Sequence, residues 1–152
     1  MTACKSVQLT GTVDVPLPPG EAFVLFTPKG ERRCAAGWNP TFLSPGAEDT
    51  TVGTVFQVAH ADDVATWIVV RCEPGASIEY CAVTPNQRAG LITVTLAPTQ
   101  TGTAATVTYR LTSLRPGANV ELADFAAHYP RFLSHWEQAI AGAITPSGGA
   151  PD

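Results

Sequence analysis

Residues 104–144 read AATVTYRLTSLRPGANVELADFAAHYPRFLSHWEQAIAGAI, and the spacing of apolar residues changes within that stretch. In Ala104 to Ser113, Val107, Tyr109 and Leu111 alternate with Thr106, Thr108 and Arg110. A period of two marks a strand with one buried face. Pro116-Gly117 then interrupts the chain. From Val120 to Ile144, Leu122, Phe125, Tyr129, Phe132, Leu133, Trp136, Ile140, Ala143 and Ile144 fall in one broad stripe at about 100° per residue. Asp124, Arg131 and Gln138 lie opposite. The stretch predicts a long amphipathic helix, kinked or split at Pro130. So wide and aromatic a stripe needs a large apolar partner.

The residues upstream supply that partner. Val7, Leu9, Val13 and Val15 alternate with Gln8, Thr10, Thr12 and Asp14, which predicts a strand over Ser6 to Val15. Pro16, Pro18 and Pro19 stop it, and Pro19 suits the first turn of a helix carrying Ala22, Phe23 and Phe26. Pro28 to Ala36 reads as a second short helix with Lys29, Glu31, Arg32 and Arg33 outward. Strands follow over Gly53 to His60, Thr66 to Glu73, Ser77 to Thr84 and Gly90 to Ala97. Turn residues separate them, including a type II signal at Pro74-Gly75. Such spacing is that of an antiparallel meander. The expected architecture is α+β, in the order strand, two short helices, meander, helix. A strongly bent antiparallel sheet of about six or seven strands wraps around the long C-terminal helix. Residues 1–144 form one domain in this reading, and 145–152 a loose tail.

Composition narrows the function. The chain has 152 residues, the size of one ordinary domain, with 45% hydrophobic and 14% charged residues. That is too apolar for a disordered segment. The net charge of −4 argues against nucleic acid or an anionic membrane surface as partner. The longest apolar run, Ala22 to Phe26, is too short for a membrane span. Met1 to Thr10 has one Lys and no apolar run, so no secretory signal is expected. Cys4, Cys34, Cys72 and Cys81 are too few for a disulfide framework and form no C-x-x-C pair. A cytoplasmic protein with free thiols is the expectation.

The order of elements resembles the Bet v 1/START-like superfamily, the helix-grip proteins, from Val7 to Ile144. These include plant allergens, lipid-transfer domains, polyketide cyclases and activators of the Hsp90 ATPase. Gly30-Glu31-Arg32, Gly37-Trp38-Asn39-Pro40, Gly53-Thr54-Val55-Phe56, Thr108-Tyr109 and Trp136-Glu137 resemble an uncharacterised bacterial branch of it. The resemblance implies a cavity between sheet and long helix. Its lining would come from Trp67, Val69, Ile78, Tyr80, Ile92, Val94, Tyr109, Leu111, Tyr129, Phe132 and Trp136.

Catalytic motifs are absent: there is no G-x-S-x-G, no phosphate loop, no H-E-x-x-H. His128 and His135 share a helical face, but seven residues set them roughly 10 Å apart along the axis, too far for one metal ion. No metal and no cofactor are expected. Cys72 and Cys81 flank the Pro74-Gly75 turn on the same sheet face, offset in register. Trp67, Val69 and Arg71 share a face by parity, with Ile78 and Tyr80 across from them, so Arg71 should point toward the cavity or its rim. The expected ligand contacts are therefore Trp67, Arg71, Tyr80, Tyr109, Tyr129, Phe132 and Trp136. The leading function is binding of a hydrophobic or amphipathic small molecule. The alternatives are a cyclase/dehydratase-type enzyme and a regulatory interaction module. A homodimer is left open.

Overall fold

A computed structural model describes residues 3–33, 38–44 and 49–144. Cys34, the end of the second expected helix and the 145–152 tail lie outside the described residues. The elements are β1 (Ser6–Val15), α1 (Pro19–Val24), a 3-10 turn (Gly30–Arg33), β2 (Thr41–Phe42), β3 (Val55–His60), β4 (Asp63–Glu73), β5 (Ser77–Thr84), β6 (Arg88–Thr99), β7 (Gly102–Ser113), a second 3-10 turn (Pro116–Ala118) and α2 (Asn119–Ile144). The seven strands form one open antiparallel sheet, ordered β1-β7-β6-β5-β4-β3-β2. With the long helix against one face, this is the expected α+β helix-grip architecture.

Local chemistry explains the connections. The β4–β5 turn has Pro74 at its first corner and Gly75 at φ 80° at its second, closed by Ala76 N–H to the Glu73 carbonyl at 2.9 Å. A type II turn requires that positive φ, and glycine adopts it without a Cβ clash. Asn86 takes the left-handed position between β5 and β6, with Gln87 N–H on the Thr84 carbonyl. α1 begins on Pro19 after an extended Pro18, where the missing N–H costs nothing.

The two faces of the sheet differ as alternation demands. On β1 and β7 the outer face is hydroxyl-rich: Thr10 and Thr108 hydroxyls meet at 2.9 Å, Ser6 and Thr112 at 2.8 Å. The inner face carries Val13, Val15, Val69, Ile78, Tyr80, Val94 and Val107, all buried. α2 adds Leu122, Tyr129, Leu133, Trp136 and Ile140 to that core. It runs as one helix through Pro130, which faces solvent. It is neither split nor ended there.

Three expectations are corrected. The pairing of β4 with β5 shifts between Val69 and Arg71: Val69 faces Tyr80, Arg71 faces Glu79, and Cys72 faces Ile78. An extra residue in one strand reverses the parity beyond it. Arg71 is consequently exposed on the outer face, while Cys72 turns in against the core. The same bulge separates the cysteines. Cys81 pairs with Ile68 on the outer face, opposite to Cys72. Cys4, Cys72 and Cys81 are free thiols. Third, Glu31 is buried, only 7% exposed, and not outward with Lys29 and Arg32.

Candidate functional site

The register lines up inner-face residues in rows across the sheet. Val69, Tyr80, Ile92, Tyr109 and Leu9 stand opposite one another in successive strands. The next row holds Trp67, Ala82, Gly90, Leu111 and Val7. α2 covers these rows unevenly, because it rests chiefly on β1. Gly11 of β1 lets it approach: a Cβ there would come within 2.3 Å of Leu133 Cδ1. Leu133 thus fills the space beside Gly11. Tyr129 Oη donates to the Val107 carbonyl at 2.7 Å, and Asp14 N–H donates to Glu137 Oε2 at 2.6 Å. These three contacts fix the helix over the β1–β7 side.

The β4–β6 side of the inner face is left less covered. Trp67, Ala82, Tyr109, Phe125 and Phe132 all face the interior yet remain half-buried. The aromatic residues among them belong to two walls. One wall is the aromatic cluster Trp38, Phe42, Phe56, Trp67 and Tyr80. The other is Tyr109, Phe125, Tyr129, Phe132 and Trp136. Phe26, just after α1, meets Trp136 edge-on at 5.4 Å.

Of the residues expected at a ligand site, Trp67, Tyr80, Tyr109, Tyr129, Phe132 and Trp136 belong to these two walls, and Arg71 does not. The walls are not equally available. Tyr80 is 1% exposed, and its Oη donates to the Phe26 carbonyl at 2.8 Å. Tyr129 spends its hydroxyl on Val107. Both phenols are structural ties, and burial raises the pKa of each. Trp67, Tyr109 and Phe132 are the accessible members.

Three further polar groups are buried or partly buried. The Trp136 indole N–H is buried and has no hydrogen-bond acceptor among the described residues. The Glu31 carboxyl is buried, which raises its pKa well above the ordinary carboxylate range, and its charge acts on both Tyr80 and Tyr109. Arg88 opens β6 on the same face as Gly90 and Ile92, with its guanidinium 4.5 Å from the centre of the Phe125 ring. Partial burial lowers its pKa, opposed by the nearby Tyr109 and Glu121. Sequence reasoning missed Arg88 because it began the strand at Gly90. Extending the alternation Ile92, Gly90, Arg88 by one step finds it. It missed Glu31 because it assumed a regular helix where the chain makes a single 3-10 turn.

A separate, open depression of about 410 Å³ lies on the sheet at Ser6, Gln8, Leu91, Arg110 and Thr112. Those side chains sit on the outer face, away from α2. Among the described residues no three His, Cys, Asp or Glu side chains gather as metal ligands. Nor is any described helix long and apolar enough to cross a membrane. His60, His128 and His135 are exposed.

No protein-family model matches the chain, and no curated protein matches it. Solved structures do. Protein MLL2253 from Mesorhizobium loti superimposes with a TM-score of 0.67 at 20% identity, over 89% of this chain and 97% of that one. CalU16 from Micromonospora echinospora gives 0.62 at 18% identity, over 95% and 79%. DynU16, from the dynemicin biosynthetic locus, gives 0.59 at 21% identity, over 90% of this chain but only 47% of DynU16. With about one residue in five shared, the likeness establishes the helix-grip fold and leaves the chemistry to the site itself.

Proposed function

We propose that this chain binds a hydrophobic or amphipathic small molecule in a cleft between sheet and α2, as a member of a bacterial branch of the Bet v 1/START-like superfamily. The observation that carries this reading is the Trp136 indole N–H. It is buried beside Phe26 and Phe132 with no acceptor among the described residues. Proteins seldom leave a buried donor unpaired, since it forfeits about 1–3 kcal/mol of hydration. A ligand oxygen reaching the deep end of the cleft would satisfy it. The half-open aromatic walls supply the apolar surface such sites use. The occurrence of DynU16 in a biosynthetic locus supports a small-molecule role for the fold. Native mass spectrometry of freshly purified protein tests the reading, with addition of 1-dodecanol to the emptied protein. A bound small molecule is expected in one or both samples. Protein at its bare mass in both would overturn it.

Glu31 favours a second reading, a cyclase/dehydratase-type enzyme. A carboxyl whose pKa burial raises well above the ordinary range is biased toward the protonated form a general acid needs toward a substrate carbonyl. On that reading Glu31→Gln abolishes turnover and spares binding.

A further inference from the structure

We propose that Arg88 binds the carboxylate of an amphipathic acid at the mouth of the cleft, with the apolar body of the acid lying along Phe125 and Phe132. The inference rests on the small-molecule reading above and names its ligand class. Arg88 is the cation of β6, on the inner face at the first residue of the strand, with its guanidinium over the Phe125 ring. Its long stem and ring contact bury it in part, yet no carboxylate lies within ion-pair distance among the described residues, where His128–Asp124 is the salt bridge observed. Glu121, one turn before Phe125 on α2, acts on it only from farther off, and its side chain is exposed. A partly desolvated guanidinium without a counter-ion is a costly arrangement unless an anion completes it, and its planar fork matches a carboxylate in bidentate fashion. One cation with Glu121 nearby also favours a monoanion over a dianionic phosphate. Phe125 and Phe132, rings 5.5 Å apart, continue inward from that point.

Dodecanoate and 1-dodecanol share one chain and differ in charge, so their affinities separate the head from the body. Isothermal titration below micelle-forming concentrations, at about pH 7.5, should show dodecanoate binding at least about tenfold tighter than dodecanol, the effect of one charge-assisted contact. Arg88→Gln should bring that ratio to within about twofold and leave dodecanol unchanged, which also certifies the folded cleft. Arg88→Lys should fall between. Glu121→Gln, at an exposed position, should tighten dodecanoate alone. If Arg88→Gln keeps the wild-type ratio, or dodecanol binds wild type as tightly as dodecanoate, the role of Arg88 is overturned while the cleft reading stands. If neither probe binds wild type, the cleft reading fails and takes this one with it.

Discussion

A methyl group at position 90 has nowhere to go. An ideal Cβ there would lie 1.9 Å from the Arg110 carbonyl oxygen and under 3 Å from the Arg110 carbonyl carbon and Leu111 Cα. These are main-chain atoms of the paired strand β7, so no side chain can swing aside. Gly90→Ala must therefore push β6 and β7 apart at the centre of the sheet. The expected cost is about 3 kcal/mol, the upper range for overpacking, read as a lowered urea midpoint. A midpoint within about 0.5 kcal/mol of wild type would mean that the strands part there without resistance. The residue scale is also where the sequence was least legible. Arg71, Cys72, Cys81 and Glu31 were all placed by regular periodicity. One bulge after Val69 and one 3-10 turn at Gly30 broke that regularity. Nothing in Val69-Val70-Arg71 signals a bulge, since valine suits either face of a strand.

At the scale of elements the sequence was more explicit. β1 and β5 lie where alternation placed them, and α2 begins within one residue of its expected start. β4, β6 and β7 are longer than expected because Asp63, Arg88 and Gly102 join the ladder through main-chain hydrogen bonds, to which side-chain hydropathy is blind. β2 has two residues, too few to show a period. α2 was legible because its stripe is wide, and its packing has a direct test. Trp136 is 8% exposed and touches Phe26 and Phe132. Trp136→Ala should cost about 3–5 kcal/mol, as truncation of a core aromatic does. Trp136→Phe keeps the ring contacts and removes the unpaired N–H, so its cost should stay below about 1.5 kcal/mol. Equal losses in thermal or urea unfolding would show that the indole N–H has an acceptor and would remove the main support for an empty ligand position.

Across the whole molecule, the unequal cover of the sheet by α2 leaves an interior that must hold a carboxyl. Glu31, in the 3-10 turn that follows α1, is buried, and burial alone raises its pKa above the ordinary 4.5. Between 4.5 and that raised value the folded chain keeps a proton that the unfolded chain has released. The neutral carboxyl therefore contributes its full stability below 4.5, and that contribution is lost as pH rises through the folded-state pKa. The direction is opposite to that of a salt-bridged acid, which gains from rising pH. Glu31→Gln holds a neutral isostere in place at every pH. Its stability relative to wild type should thus be near parity below 4.5, grow as pH rises above it, and level off above the folded-state pKa. Urea unfolding of both proteins across that range reads the difference. Parallel profiles would mean that the carboxyl ionises in the fold as readily as in the unfolded chain. Glu31 would then meet water or a cation, and the general-acid reading built on its protonated state would fall with it.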